Sequence, residues 1–226
     1  TLVKSSAASD VYKRQHVQQA ICMASRASIM TGIRPEKHGI YTGVSVNDVL
    51  PNALTLNKFF EKNGYNIASC GKIYHHKIDT KTQFGKNEMK PKGTWTGRGY
   101  VTKEAIKKIA LNIKFNRGPA YEFAPVNDTI YKDGLNTQNA LKKMEELSKD
   151  DAPFFLSVGL SKPHLPFTAP KKYLDMYPIS DIKLTEIKTP PLNGYNKAIR
   201  TGGELKNYYG MPEFYDCLLY TSDAAD

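Results

Sequence analysis

The spacing of hydrophobic and polar positions along the chain predicts helices and strands in alternation. The segment MASRASIMTG after Cys22 contains helix-forming residues and ends at Gly32, so it predicts a short helix with Cys22 at or near its N-terminus. A second helix is predicted within LPNALTLNKFFEKNG, where Asn63 and Gly64 form its C-terminal cap. The apolar side of this second helix is expected to consist of Leu54, Leu56, Phe59 and Phe60.

Two apolar segments predict strands. The first, YNIASC, ends at Cys70, which we expect to be a buried strand residue. The second, APFFLSVGL, is an unbroken apolar run between Pro153 and Gly159, which is typical of a strand buried on both faces of a parallel sheet. The segment DGLNTQNALKKMEELSKDD predicts a helix between them, with the apolar positions Leu135, Ala140, Leu141, Met144 and Leu147 in register.

Two further segments are mainly polar. Residues 79–100 are rich in Gly and Lys and have no hydrophobic period, which predicts a surface loop or insertion. The segment TKEAIKKIALNIK predicts a basic helix with a solvated face, and contact of that face with a membrane or a glycan is the alternative. Helices and strands therefore alternate, which predicts an α/β fold with a mostly parallel central sheet flanked by helices.

Two loops follow the predicted strands directly and carry chemically active side chains. They are GKIYHH (71–76) and SKPHLPF (161–167). Because ligands bind beyond the carboxyl ends of strands in parallel sheets, we expect both loops to border a binding site. Their lysine and histidine side chains are Lys72, His75, Lys162 and His164, with His76 as a neighbour that competes for the role of His75.

Composition limits the class of protein but does not identify it. The chain has 226 residues, 40% of them hydrophobic, which is enough for the core of one sizeable domain or two. A net charge of +10 suits a polyanionic partner, but charge does not choose among nucleic acid, anionic lipid and acidic polysaccharide. The three cysteines, Cys22, Cys70 and Cys217, have neither CxxC spacing nor the density of a disulfide scaffold.

The two ends of the chain differ from the rest. Residues 1–15 and 217–226 have no hydrophobic period and look like translated adapter sequence, so we expect non-native tails there. The predicted native part is residues 16–216. No run of eighteen apolar residues occurs, so the sequence predicts no membrane span.

Three motifs in order resemble the sulfatase family, the formylglycine-dependent branch of the alkaline-phosphatase-like superfamily. They are CMASR (22–26) with Thr-Gly at 31–32, the GKIYHH loop, and the SKPH loop at 161–164. The segments NGYNIASCGKIYHH and PFFLSVGLSKPHLPF are most similar to the iduronate-2-sulfatase group of that family. The resemblance covers roughly residues 16–216 and implies an alkaline-phosphatase-like catalytic domain, truncated at both ends.

The resemblance implies a role for each motif residue. Cys22 would be oxidised to formylglycine, whose hydrate attacks the sulfur of a sulfate ester and then releases inorganic sulfate. A formylglycine-generating or an anaerobic sulfatase-maturating enzyme would perform the oxidation, and Ala24 in the motif hints at the anaerobic route. Arg26 would hold the hydrate, Lys72 would contact sulfate and hydrate, His75 would be the base, His164 would contact sulfate or protonate the leaving oxygen, and Lys162 would add positive charge.

The family also uses one Ca²⁺ per active site. Its ligands are the formylglycine, here derived from Cys22, together with an Asp-Asp pair and an Asp-His pair that the resemblance puts outside this chain. A hard cation needs about six oxygen ligands, so the fragment by itself is expected to be inactive. The resemblance implies a parent protein in the periplasm or secreted.

The expected substrate is a sulfated sugar, with a 2-O-sulfated uronic acid of a glycosaminoglycan-like glycan as the first choice, and not nucleic acid. Two other functions stay open: a phosphodiesterase or phosphonate hydrolase of the same superfamily, and a non-catalytic polyanion-binding module. In the last, Cys22 would be a small buried residue and His75 and His164 ordinary polar residues, as we expect for His38.

Overall fold

The computed structural model describes residues 16–178, 180 and 203–211, and the tails predicted at 1–15 and 217–226 lie outside these ranges. The described residues form an α/β fold in which helices pack on two small parallel sheets. The helices are α1 (Cys22–Thr31), α2 (Pro35–His38), α3 (Val46–Val49), α4 (Leu56–Lys62), α5 (Lys77–Phe84), α6 (Lys103–Leu111), α7 (Lys132–Leu147) and α8 (Lys171–Leu174).

All strand pairs within the two sheets are parallel, as the sequence predicts. The central strand of the larger sheet pairs residue by residue with its longer neighbour, so that positions 66–71 oppose 154–159. The larger sheet has the order β2–β1–β4, with β1 (Asn66–Gly71), β2 (Glu88–Met89) and β4 (Phe154–Gly159), while β3 (Tyr121–Ala124) and β5 (Phe167–Pro170) form the second sheet.

The main core lies where α1 and the elements around it pack on β1. Cys22 is the first residue of α1, and Gly32 ends the helix in the left-handed conformation, at φ 71°, with its N–H donating to the Ser28 carbonyl. Both features agree with the prediction. The cluster is apolar throughout and comprises Met23, Ala27, Met30, Ile40, Val46, Ile67, Ile73, Tyr74 and Phe84, flanked by Leu50, Phe60 and Phe155.

The predicted apolar side of α4 is wrong in part. Phe60 packs against the core and stacks on Phe155, but Leu54 and Phe59 are largely exposed. The fully buried residue of α4 is instead Asn57, whose amide donates to the Gln83 carbonyl and accepts from the Tyr74 hydroxyl. A buried amide is compatible with this position because both of its polar ends find partners.

The segment 79–100 is only partly the surface loop that its composition predicts. Its beginning belongs to α5, and its middle contains β2, which pairs with β1. Asp79 is buried and accepts hydrogen bonds from the Ser45 hydroxyl and from the backbone N–H groups of Val46 and Asn47. A charged residue is buried here because donors from a distant segment surround its carboxylate.

The helix α7 and the strand β4 form as predicted, but both are less buried than their sequences suggest. Ala140 and Leu147 of α7 are buried, whereas Leu141 and Met144 are largely exposed. Val158 of β4 is 49% exposed, so β4 is not buried on both faces. β4 lies at the edge of the larger sheet within the described residues, which leaves one side without a neighbouring strand. None of the described helices combines the length and apolar character needed to cross a bilayer.

The ends of β1 and β4 approach each other unusually closely. Gly71 has φ +81°, and a Cβ added there would lie 2.0 Å from the Gly159 carbonyl oxygen. A Cβ on Gly159 would lie 1.8 Å from the Lys72 carbonyl oxygen. Glycine at both positions therefore lets the two backbones meet where the strands end.

We predict that Gly71→Ala is much more destabilising than Gly64→Ala. Gly64 has nearly the same backbone conformation, at φ +83°, but has open space around the position of a Cβ. Gly64→Ala should lower the free energy of unfolding by about 1 kcal/mol through left-handed strain alone. Gly71→Ala should cost at least about 2 kcal/mol more, because the new methyl group overlaps backbone. Urea unfolding of both variants measures the difference, and equal costs would contradict the close contact.

Candidate active site

The loops 71–76 and 161–167 lie side by side at the carboxyl ends of β1 and β4. Their adjacency follows from the strand pairing, which continues one step past the strands: the Lys72 N–H donates to the Gly159 carbonyl at 2.8 Å. Side chains that are 90 residues apart in sequence therefore border the same edge of the sheet, as the sequence predicts.

Arg26 connects α1 to the first of these loops. Its Nε donates to Cys22 Sγ at 3.2 Å, one helical turn back. Its Nη1 donates to the carbonyl oxygens of Lys72, at 2.6 Å, and Ile73, at 2.9 Å. The guanidinium is held at three points and can keep a fixed geometry, since its N–H donors lie in one rigid plane. The start of α1 is thus attached to the loop that carries Lys72.

Cys22 opens into a cavity of about 490 Å³. The thiol is half-buried and free, and it stands at the N-terminus of a ten-residue helix. That helix end favours negative charge, because the first backbone N–H groups have no partner within the helix. Cationic side chains line the same space, namely Arg26, Lys72 and Lys162.

A smaller cavity of about 230 Å³ shares two lining lysines with the first. Lys72 and Lys162 line both cavities, so the two spaces adjoin at these side chains. His164 also borders the smaller cavity. Its lining includes three other charged residues that belong to none of the sequence motifs, namely Arg98, Lys132 and Asp133.

Asp133 holds the second loop in place. Its carboxylate oxygens accept hydrogen bonds from the backbone N–H groups of Ser161 and Lys162, all at 2.9 Å. Such charge-assisted bonds to backbone are stronger than neutral ones. Asp133 is the acidic residue in the first turn of α7, a signal that the sequence contains but that indicates only a helix start.

Lys162 and His164 are both tied to the backbone of their own loop. The Lys162 ammonium donates to the carbonyl oxygens of His164, at 2.9 Å, and of Pro166. His164 Nδ1 lies 2.7 Å from the Leu165 carbonyl oxygen, which can only accept, so Nδ1 carries a proton. His164 Nε2 remains for other partners and lies 4.0 Å from a carboxylate oxygen of Glu204.

His75 is exposed at the mouth of the first loop, in a positive environment. Partial desolvation lowers the pKa of the His75 imidazole, and the nearby charges of Lys72, His76, His164 and Arg26 lower it further. His75 itself lines neither of the two cavities. Its ring packs edge-on against that of His76 at 5.2 Å, and the His76 Nε2 is buried without a hydrogen-bond partner among the described residues.

Two residues that we expected to be structural are buried away from these cavities. His38 bonds to the Ser28 hydroxyl at 3.1 Å and accepts from the Ile40 N–H at 2.9 Å. Cys70 is fully buried in β1 with its Sγ 3.6 Å from the Met89 sulfur, and burial raises the pKa of its thiol. Their partners account for both side chains.

The described residues alone do not provide a site for a metal ion. Within residues 16–178, 180 and 203–211, no three His, Cys, Asp or Glu side chains cluster as ligands. Ca²⁺ takes six to eight oxygen ligands, and Cys22 is the single expected ligand in this region. The described residues therefore do not fit the ion by themselves.

Comparisons with known proteins agree with the motifs. The family model described as sulfatase matches residues 2–224. Iduronate 2-sulfatase of Mus musculus is 30% identical over 177 residues, and that of Homo sapiens is 31% identical over 185 residues; each match covers 77% of this chain. A sulfatase of Formosa agariphila is 28% identical over 188 residues, which is 79% of this chain.

The chain spans about a third of the length of these relatives, since the matches cover 32% of each iduronate 2-sulfatase and 36% of the Formosa agariphila protein. The family match extends over almost all of the 226 residues. The chain therefore belongs to the sulfatase family.

Proposed function

We propose that the whole protein hydrolyses sulfate esters and uses a formylglycine formed from Cys22. The observation that carries the proposal is the bridge that Arg26 makes from Cys22 Sγ to the loop of Lys72. This bridge fixes a modifiable side chain beside cationic groups that suit the oxygens of a sulfate group.

The reaction converts a sulfate monoester and water into an alcohol and inorganic sulfate. It needs a nucleophile at sulfur, positive charge near the non-bridging oxygens, and a proton for the leaving oxygen. The hydrated aldehyde of formylglycine would supply the hydroxyl groups that attack sulfur and then release sulfate. The remaining requirements fall on side chains of this chain.

Positive charge would come from Lys72, Arg26 and Lys162. Lys72 lines both cavities, and we assign to it the contact with a sulfate oxygen. Lys162 donates to carbonyl oxygens of its own loop, so we assign it an electrostatic contribution rather than a direct contact. Arg26 would keep the nucleophile oriented through its three fixed hydrogen bonds.

The two histidines would move protons. A base must be neutral before it accepts a proton, and a lowered pKa keeps the His75 imidazole neutral at neutral pH. His164 would present the Nε2 proton of its imidazolium to the leaving oxygen, while its Nδ1–H is held by the Leu165 carbonyl.

The proposed substrate is a sulfated sugar, with a 2-O-sulfated uronic acid of a glycosaminoglycan-like glycan as the first choice. Two of the similar proteins are iduronate 2-sulfatases, and the net charge of +10 suits an acidic polymer. We propose Ca²⁺ as the metal of the whole protein, and we assign no step to it here. Proposed partners are a formylglycine-generating or an anaerobic maturating enzyme, and the proposed location is the periplasm or the exterior.

The modification of Cys22 can be tested directly. After co-expression with a maturation enzyme, the tryptic peptide of Cys22 should lose roughly 18 Da relative to the thiol form. The buried Cys70 peptide is the internal control and should keep its thiol mass. An unmodified Cys22 with either type of maturation enzyme contradicts the proposal.

The reaction can be tested on the full-length parent protein. Cys22→Ala should reduce sulfate release from a 2-O-sulfated uronic acid by at least about 1,000-fold, because the nucleophile is removed. Cys70→Ala, a matched loss of a thiol, should retain activity. A phosphodiester tested beside the sulfate ester separates the two hydrolase classes. A Cys22→Ala variant with undiminished sulfate release would rule out Cys22 as the nucleophile.

The pKa of His75 gives a prediction for pH dependence. Activity should fall as the pH drops through a His75 pKa that lies below the ordinary value of about 6.5, since the protonated imidazole cannot act as a base. Lys72→Gln should raise the pKa of His75 by removing a neighbouring positive charge. NMR titration of the histidines checks both statements. Lys107→Gln on α6 is the control and should leave the titration of His75 unchanged.

A further inference from the structure

We propose that Arg98 and Lys132 form a second anion-binding position, which takes the carboxylate of the sugar whose sulfate ester lies at Lys72. The inference rests on the proposed function and specifies its substrate class. It assigns a recognition role to two residues that none of the three motifs includes.

The position lies in the 230 Å³ cavity that adjoins the space around Cys22. Four basic side chains and one acidic side chain line it: Lys72, Arg98, Lys132 and Lys162, and against them Asp133. Two of the five are committed elsewhere. The Asp133 carboxylate accepts from backbone N–H groups, and the Lys162 ammonium donates to carbonyl oxygens. Positive charge therefore dominates the part of the cavity between Lys72, Arg98 and Lys132.

Among the basic residues of this cavity, Lys132 has the greatest need of a negatively charged partner. It is the first residue of α7 and is half-buried, and its ammonium makes no hydrogen bond or ion pair with the described residues. Desolvation lowers the pKa of Lys132, the nearby charges of Lys77 and Lys72 lower it further, and Asp133 opposes this effect. A bound carboxylate would offset both effects on the Lys132 ammonium, because it supplies an opposite charge at a partly desolvated site.

Arg98 lies at the exposed rim of the cavity and is held by residues of the segment 203–211. Its Nη1 donates to Glu204 at 3.0 Å and more weakly to the Tyr208 hydroxyl at 3.4 Å. Glu204 also pairs with Arg117 at 3.2 Å, so one carboxylate is shared by two guanidinium groups. Arg98 is therefore positioned without being neutralised, and its planar group suits a carboxylate.

The size of the cavity limits the ligand. Pockets that bury a drug-sized molecule typically measure about 300–1,000 Å³. A cavity of about 230 Å³ has room for one charged group and part of a sugar ring. Since Lys72 borders both cavities, we expect a single ring to place its sulfate in the larger space and its carboxylate in the smaller one.

The test compares two sugars that differ in one group. Isothermal titration calorimetry on the full chain measures the affinity for the 2-O-sulfated methyl glucuronide and for the 2-O-sulfated methyl glucoside. We expect a preference of about ten-fold for the glucuronide, the size of one charge-assisted contact. Lys132→Gln and Arg98→Gln should each reduce this preference to less than about three-fold. Lys142→Gln, an exposed lysine of the same helix, should leave it intact.

Each outcome bears on one proposal. Equal affinity of the chain without substitutions for both sugars overturns the proposed carboxylate-binding position. If Lys72→Gln still weakens both sugars in that case, the sulfate position of the proposed function stands. Tighter binding of a 2,6-disulfated glucoside than of the glucuronide would overturn carboxylate recognition in favour of a second sulfate.

Lys132→Gln removes no hydrogen bond to the described residues, so it serves as the main variant if Arg98→Gln lowers the melting temperature. Failure of both sugars to bind overturns this inference, while the mass of the Cys22 peptide judges the formylglycine proposal separately.

Discussion

The contact between the backbones of Gly71 and Gly159 is the constraint on which the rest of the site depends. Any side chain at either position would overlap the opposite strand end. Because the strands meet there, Lys72 can continue the ladder by donating to Gly159, and the two loops emerge next to each other. Arg26 then adds the third element, since its guanidinium bonds to the carbonyl groups that this arrangement turns toward α1.

Positive charge accumulates at this edge because backbone and side-chain partners hold the cationic groups in place without cancelling them. Arg26 and Lys162 donate to neutral carbonyl oxygens, which orient a cation but leave its charge available. The acidic groups nearby are mostly engaged elsewhere: Asp133 by backbone N–H groups and Glu204 by two arginines. An anion is therefore the ligand that this edge favours.

Some structural residues differ from those that the pattern of apolar positions predicts. Asn57 and Asp79 are buried, although polar residues usually lie at the surface, because distant segments supply hydrogen-bond partners for them. Leu141 and Val158 are exposed although they are apolar. The spacing of residues predicts which face of an element is apolar, but the neighbours present in space determine how far that face is covered.

The sequence by itself determined the family, the α/β fold, the start of α1 at Cys22, and the two loops that follow β1 and β4. These features depend on local spacing, on glycine caps and on motifs whose order along the chain can be read directly. Only the tertiary structure decided that Asp133 holds the second loop, that Arg26 bonds to the first, and that Arg98 and Lys132 border one cavity. The physical reason is that these contacts join residues far apart in sequence, whose proximity arises only when the strand ends meet.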